Sequence, residues 1–271
     1  MARLDSNAAW KEATGLVGRS RELMFALAGV FFLLPSLALA VLVGEPELAP
    51  GADRDQMMAA MSEFYGRAWW MMLIAAVFQV VGMLAVLTLM RDRTRPTVAD
   101  AIRSGAGGLL PYMIAQLLFG TLLGILATLL VGLAALASPA LAVVVMLAVI
   151  CFAVFAAIRL ILVAPIVAVE GARNPVAAMR RSWALTQGSF WRIFGFFALV
   201  LVLFVVIMSV VMIVVGIILG LLTSGETQRI LAAAVSSGLS AVAVLYFCGM
   251  LAAIHRQLAG TEGPAPGETF A

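Results

Sequence analysis

The chain has 271 residues, of which 64% are hydrophobic and only 11% charged, with a formal net charge of +3. A soluble domain of this length needs a charged surface that these residues do not supply, so the composition excludes an ordinary soluble enzyme or binding module. The slight excess of arginine does not make a nucleic-acid binder either, because the arginines fall beside apolar runs, where the positive-inside rule puts them.

In chain order, the first element is an amphipathic segment that begins near Asp5, includes Trp10, Lys11 and Val17, and closes on Arg19-Ser20. The first apolar run, Leu23–Val43, follows. Ala38-Leu39-Ala40 has the small-residue pattern of a signal-peptidase site. The run is long, contains Pro35 and follows some twenty amphipathic residues, so an uncleaved span is expected. The next connection holds Glu45, Glu47, Asp53, Asp55 and Glu63 against Arg54 and Arg67. Within it, Ala52–Arg67 carries Met57, Met58, Met61 and Phe64 and reads as an amphipathic helix on the outer face. The second run is Trp69–Met90, and Arg91, Arg93 and Arg95 follow it.

Thr97-Val98-Ala99-Asp100 has the form of a capping box opening a short helix that reaches Arg103-Ser104. Gly105-Ala106-Gly107-Gly108 reads as a glycine-rich turn without the lysine of a phosphate-binding loop. The third run, Leu109–Leu136, and the fourth, Pro139–Val169, are separated only by the connection at Ser138. Asn174-Pro175 then supplies an N-cap and a proline at the first helical position. Val176, Met179 and Trp183 form an i, i+3, i+7 stripe suited to the headgroup boundary, with Arg181 pointing away from it toward phosphates or water. The fifth run is Ile193–Leu222 and the sixth Ile230–Ile254, with a nearly uncharged connection between them; the Gly- and Pro-rich residues from Gly260 to Ala271 read as a disordered tail.

Each run exceeds the ~20 helical residues that a hydrocarbon core requires, and each is continuously apolar rather than alternating, so helices are expected and strands are not. The fourth and fifth are longer than a perpendicular span needs, which implies tilt, a kink or an interfacial extension. The basic residues flank the N-terminal segment (Arg3, Lys11, Arg19, Arg21) and the connections after the second and fourth runs (to Arg103, and Arg173, Arg180, Arg181 and Arg192). Both termini are therefore expected in the cytoplasm of a bacterial inner membrane, consistent with an even number of spans. The fold expected is all-α: residues 1–259 as one six-helix domain of three hairpins, each led by a cytoplasmic amphipathic helix, with units at roughly 5–90, 95–169 and 174–254. Three Arg-Ser pairs before three hairpins suggest the repeat, although the first copy matches only at its end.

Arg159 is the charged residue deepest within any apolar run and is a site hypothesis by default. Eleven residues separate it from Glu170, the same face but ~16 Å apart along a straight helix, so the two cannot pair there. Pro165 is placed to kink or end this helix. Gln79, Gln116, freed backbone carbonyls or a lipid phosphate are the candidate partners for Arg159. The alternative is that it snorkels to the cytoplasmic face and fixes helix depth. Catalytic and metal chemistry have little to stand on: His255 is the single histidine, no Asp or Glu is expected within a span, and Cys151 and Cys248 lie inside runs. Gly120-x-x-x-Gly124 and Gly216-x-x-x-Gly220 permit close helix packing and fix no oligomeric state.

From Arg159 onward one family pattern emerges. Arg159-Leu-x-Leu-x-x-Pro165-Ile-Val-x-x-Glu170-Gly171, then Ala178-x-x-Arg181-Ser182-Trp183-x-Leu185-Thr186-x-Gly188-x-Phe190-Trp191, resembles the membrane domain associated with some glycerophosphoryl diester phosphodiesterases. More loosely, the chain is similar to YciC-like bacterial inner-membrane proteins; Ala9-Trp10-Lys11-Glu12-Ala13 and Phe31-Phe32-Leu33-Leu34-Pro35 fit the same resemblance. In family members that hydrolyse glycerophosphodiesters, a separate soluble barrel with paired histidines and metal-binding carboxylates does the chemistry. One histidine cannot replace that barrel, so the resemblance implies a lipid-related task and not an activity.

These readings point to a non-catalytic inner-membrane protein without cofactor or metal. It would organise or sense phospholipids, or scaffold an envelope protein partner. Arg159, Glu170, Arg180, Arg181, Gln79 and Gln116 are the candidate polar site, and Pro165, Asn174, Ser182 and Trp183 its structural support. A transporter or channel for a small amphiphilic or apolar solute is the other reading, and it requires Arg159, Gln79 and Gln116 around one cavity.

Overall fold

A computed structural model describes residues 5–19, 21–44, 51, 53–90 and 97–260. Arg3, Ser20, Glu45, Glu47, Arg91, Arg93, Arg95 and the tail beyond Gly260 lie outside the described residues. All regular elements among the described residues are helical: α1 (Ser6–Arg19), α2 (Arg21–Ala28), α3 (Leu34–Leu42), α4 (Arg54–Leu89), α5 (Val98–Ala137), α6 (Pro139–Arg159), α7 (Val163–Pro165), α8 (Pro175–Leu185), α9 (Phe190–Leu222) and α10 (Gly225–Ala259). Two π-helical turns, Gly29–Leu33 and Ile166–Glu170, continue α2 into α3 and α7 toward its end. Among the described residues, six helical stretches are long and apolar enough to cross a bilayer, Arg21–Leu42, Arg54–Leu89, Val98–Ala137, Pro139–Glu170, Phe190–Leu222 and Gly225–Ala259, in agreement with the six predicted runs.

Local chemistry sets the helix starts. Thr97 accepts from the Asp100 amide while the Asp100 carboxylate accepts from the Thr97 amide, the predicted capping box. Asp53 and Gln56 make a second one at the head of α4. Asn174 Oδ1 accepts from the amides of Val176 and Ala177 at 3.0 and 3.2 Å, with Pro175 at the first helical position, as expected. Ser138 both ends α5 and caps α6.

Two sequence expectations are corrected. The amphipathic stretch 52–67 is not a separate outer helix, because α4 runs unbroken from Arg54 to Leu89. Nor do Gly105 to Gly108 form a turn, since α5 continues through them and through Pro111 to Ala137. Gly105 meets a neighbouring helix instead, since a Cβ there would lie 2.7 Å from the Val81 carbonyl of α4, while Gly107 faces the Arg173 guanidinium. At 1.5 Å per residue, α4 and α5 are about 54 and 60 Å long and outreach a hydrocarbon core of about 30 Å.

The buried core is gathered at one end of the bundle. Leu84, Val86 and Leu87 of α4, Leu162 to Ala168 around α7, Ala178 and Leu185 of α8, Ile193 of α9, and Leu245 to Leu258 of α10 make it up. α1 closes this end by laying Ala9, Ala13, Leu16 and Val17 against α10. Arg256 of α10 holds Glu12 of α1 at 3.2 Å and donates to the Met90 carbonyl at the end of α4. The other halves of the helices are sparsely packed: no residue in the most apolar window of α9 is buried, and few are in those of α5 and α6. Such lipid-facing apolar surface is what a bilayer, unlike water, solvates without cost.

Candidate functional site

The fourth run breaks directly after Arg159, six residues before Pro165. The Val163 amide bonds the Leu160 carbonyl, and the Ile161 amide the Ile158 carbonyl, so the chain tightens into a turn. This leaves the Arg159 carbonyl and the Leu162 amide without main-chain partners. Ser182 of α8 serves both: its hydroxyl donates to the Arg159 carbonyl at 2.8 Å and accepts from the Leu162 amide at 3.2 Å. Thr186 Oγ1 lies 3.3 Å from the same carbonyl, but its one hydroxyl proton has a nearer acceptor in the Ser182 carbonyl of its own helix, at 2.9 Å. Ser182 and Thr186 are completely buried, as expected of polar groups that close a helix break. Pro165 is itself buried in α7, after the break and not at it.

The Arg159 side chain projects into a ring of aromatics. Its guanidinium carbon lies 5.2 Å from the Phe155 ring centroid, 5.3 Å from Trp183 and 5.9 Å from Phe190. The rings brace one another, Phe155 against Phe190 at 4.9 Å and against Trp183 at 5.8 Å. Cation–π contact offsets part of the desolvation, yet Nε and Nη1 are buried without a hydrogen-bond partner. Arg159 also lines a cavity of about 800 Å³ between α6 and the start of α9. The polar lining is Arg159, Ser189 and Arg192, and Ile150, Val154 and Phe194 make much of the apolar wall.

Glu170 does not reach Arg159. It takes His255 Nε2 of α10 at 2.9 Å and Arg181 of α8 at 3.5 Å. Arg181 thus makes an ion pair with Glu170, which was not expected, while its side chain stays 36% exposed. Gly171, at a φ of 72°, lets the chain turn out of the π-helical segment immediately after Glu170. Arg180 is exposed on α8. The glutamines fall elsewhere: Gln79 donates to Ser36 Oγ at 3.4 Å and Gln116 to the Tyr112 hydroxyl at 2.7 Å. Neither lines the Arg159 cavity, so the convergence that the transporter reading requires is absent there. Trp183 is brought to Arg159 as a ring and not as a headgroup anchor alone, while Val176 and Trp183 keep the exposed face predicted for them.

Sequence reasoning missed His255, Phe155, Phe190, Thr186 and Arg192 as members of this neighbourhood. One cue for His255 was available, since it and Glu170 both stand at the basic ends of their runs, at matching depth. Among the described residues no three His, Cys, Asp or Glu side chains come together to hold a metal ion.

A helical bundle with six bilayer-length apolar helices among its described residues is a multi-pass membrane protein. Residues 133–254 match the family described as the membrane domain of glycerophosphoryl diester phosphodiesterase. The matched stretch runs from the end of α5 through most of α10 and contains the Arg159 break, Ser182 and the aromatic ring, the residues on which the resemblance rested. What it matches is a membrane domain and not the catalytic one. No curated protein and no solved structure matches the chain, and the looser YciC-like resemblance gains no support.

Proposed function

We propose that the protein binds a membrane phospholipid at Arg159 without transforming it, in the cytoplasmic membrane of a bacterium, and so organises or senses lipid there. The observation that carries this reading is that Arg159, with two guanidinium nitrogens buried and unpartnered, lines a largely apolar cavity. A phosphodiester oxygen arriving from the cavity satisfies such a donor, for which guanidinium geometry is suited. The apolar wall along Ile150, Val154 and Phe194 suits an acyl chain, and the exposed Val176 and Trp183 of α8 suit the headgroup boundary.

Native mass spectrometry of gently extracted protein tests this directly. The wild type is expected to retain phospholipid and Arg159→Leu to lose at least about tenfold of it, given that a lost charge-assisted contact costs ~1.5–3 kcal/mol. Equal retention, with helicity unchanged, would reduce Arg159 to a depth anchor and bring an envelope partner forward. The orientation has its own check. A reporter active only outside the cytoplasm should be active when fused near Asp53 and inactive when fused after Ala271; the reverse pattern would invert the topology.

A further inference from the structure

Between α9 and α10 lies a second cavity, of about 730 Å³, distinct from the one that Arg159 lines. The two helices touch through the Phe197 and Phe247 rings, with centroids 5.4 Å apart. Further along, α9 presents Val200 and Phe204, while α10 presents Ser240 and Ala243, side chains too small to close the gap. Trp10 of α1 and Ile161, just after the helix break, complete one end. None of the described residues that line this cavity is charged. Its dimensions decide what fits. On α9 the lining runs from Phe197 to Ile207, about 15 Å at 1.5 Å per residue, or half of a hydrocarbon core of about 30 Å. Trp10 marks the end nearer the membrane surface, because α1 is bonded to Arg256 and Gln257 in the last turn of α10. Spread over that length, the volume corresponds to a cross-section of about 50 Å², whereas a helix with its side chains, about 10–12 Å across, needs about 80–110 Å². A partner helix is too thick to enter; a single unbranched hydrocarbon chain is not.

We propose that this cleft is a binding site for one acyl chain of a phospholipid from the leaflet on which α1 lies, independent of the Arg159 site. Its depth matches the chains of one leaflet and its width matches one chain. No hydrophobic force distinguishes the cleft from the surrounding lipid, so the seat is held by van der Waals contact with Val200, Phe204 and Ala243. At the mouth, Trp10 stands at the headgroup level that indoles favour, where the glycerol end of the chain leaves the cleft.

The experiment places the full chain in nanodiscs containing phosphatidylglycerol with a diazirine midway along one acyl chain, followed by irradiation, digestion and mapping of adducts by tandem mass spectrometry. Val200 and Phe204, on the cleft face of α9, are expected to carry about tenfold more adducts than Val202 and Val206, which lie at the same depth on the exposed face. Ala243→Phe fills the cleft and should bring that ratio toward one, with buried Cys248 still protected from thiol reagents as the sign of an intact fold. Ser240→Leu, a smaller filling, serves the same purpose if the ring is not tolerated. Leu199→Phe, on the exposed face, should leave the ratio in place. Equal labelling of both faces in the wild type would reduce the cleft to surface bathed by bulk lipid and overturn the proposal. Fewer adducts on the cleft face would mean that protein, such as a second copy of the chain, covers it, and would overturn the proposal too. A ratio that survives the filling variants would take the chain out of the cleft. Loss of the ratio in Arg159→Leu would assign the chain to the Arg159 lipid and overturn a separate site. Failure of lipid retention at Arg159 alone leaves the cleft standing.

Discussion

Ser182→Ala is expected to destabilise the protein by about 2–3 kcal/mol, because it leaves a buried amide orphaned and removes the close donor from a buried carbonyl. The Leu162 amide takes Ser182 Oγ as its acceptor, and the Arg159 carbonyl keeps only the longer Thr186 contact. Within a bilayer no water stands ready to replace the hydroxyl. Thr186→Val preserves shape and removes a hydroxyl whose nearest acceptor is within its own helix, so its cost should be nearer about 1 kcal/mol. Thiol labelling during thermal unfolding gives the readout: Cys248 is fully buried and becomes reactive on unfolding, and a Cys151→Ser background removes the exposed thiol. If Ser182→Ala proved no more damaging than Thr186→Val, the hydroxyl would not be what closes the break.

The second large effect lies at the contact of α4 with α5. Adding a methyl group at Gly105 would place Cβ 2.7 Å from the Val81 carbonyl oxygen and 3.0 Å from the Ala85 amide nitrogen. Both are main-chain atoms of a long helix and cannot swing aside, so the two helices must separate. Gly105→Ala should therefore cost about 1–3 kcal/mol, even after the gain of up to ~1 kcal/mol in helix propensity. Gly120→Ala on the same helix is the matched control, because nothing lies within 4 Å of its Cβ. It should be neutral or stabilising. Equal melting temperatures for the two variants would show that the helices are not in close contact at Gly105.

How far the sequence carried can be judged at particular residues. The spans were legible because apolar runs of bilayer length have few other solutions. The caps at Thr97 and Asn174 were legible because they act within three residues of themselves. Gly105 to Gly108 were misread because the same residue that favours a turn in water also admits a second helix at close range in lipid, and only the partner decides. The break after Arg159 was misplaced at Pro165, the residue with a local reason to break a helix. What fixes it after Arg159 is Ser182, 23 residues on, whose hydroxyl makes the break affordable. The pairing of Glu170 with His255 spans 85 positions and leaves no periodic trace. Arg159 itself was conspicuous, but its company of rings could not be foreseen from residues scattered over three helices.

The seating of α1 on α10 has a consequence for biogenesis. The bonds that fasten it, Glu12 to Arg256 and the Asp5 amide to Gln257, join positions 244 and 252 residues apart. At synthesis rates of about 5–20 residues per second, the first helix emerges some 12–50 s before the surface that receives it. Throughout that interval its face of Ala9, Ala13, Leu16 and Val17 has no protein to cover it, and the ribosome is still feeding spans into the membrane. The leaflet surface beside the translocon is where an amphipathic helix of this kind can wait. Docking of α1 is then the last step of assembly, a clasp that closes only on a chain whose sixth span has been inserted.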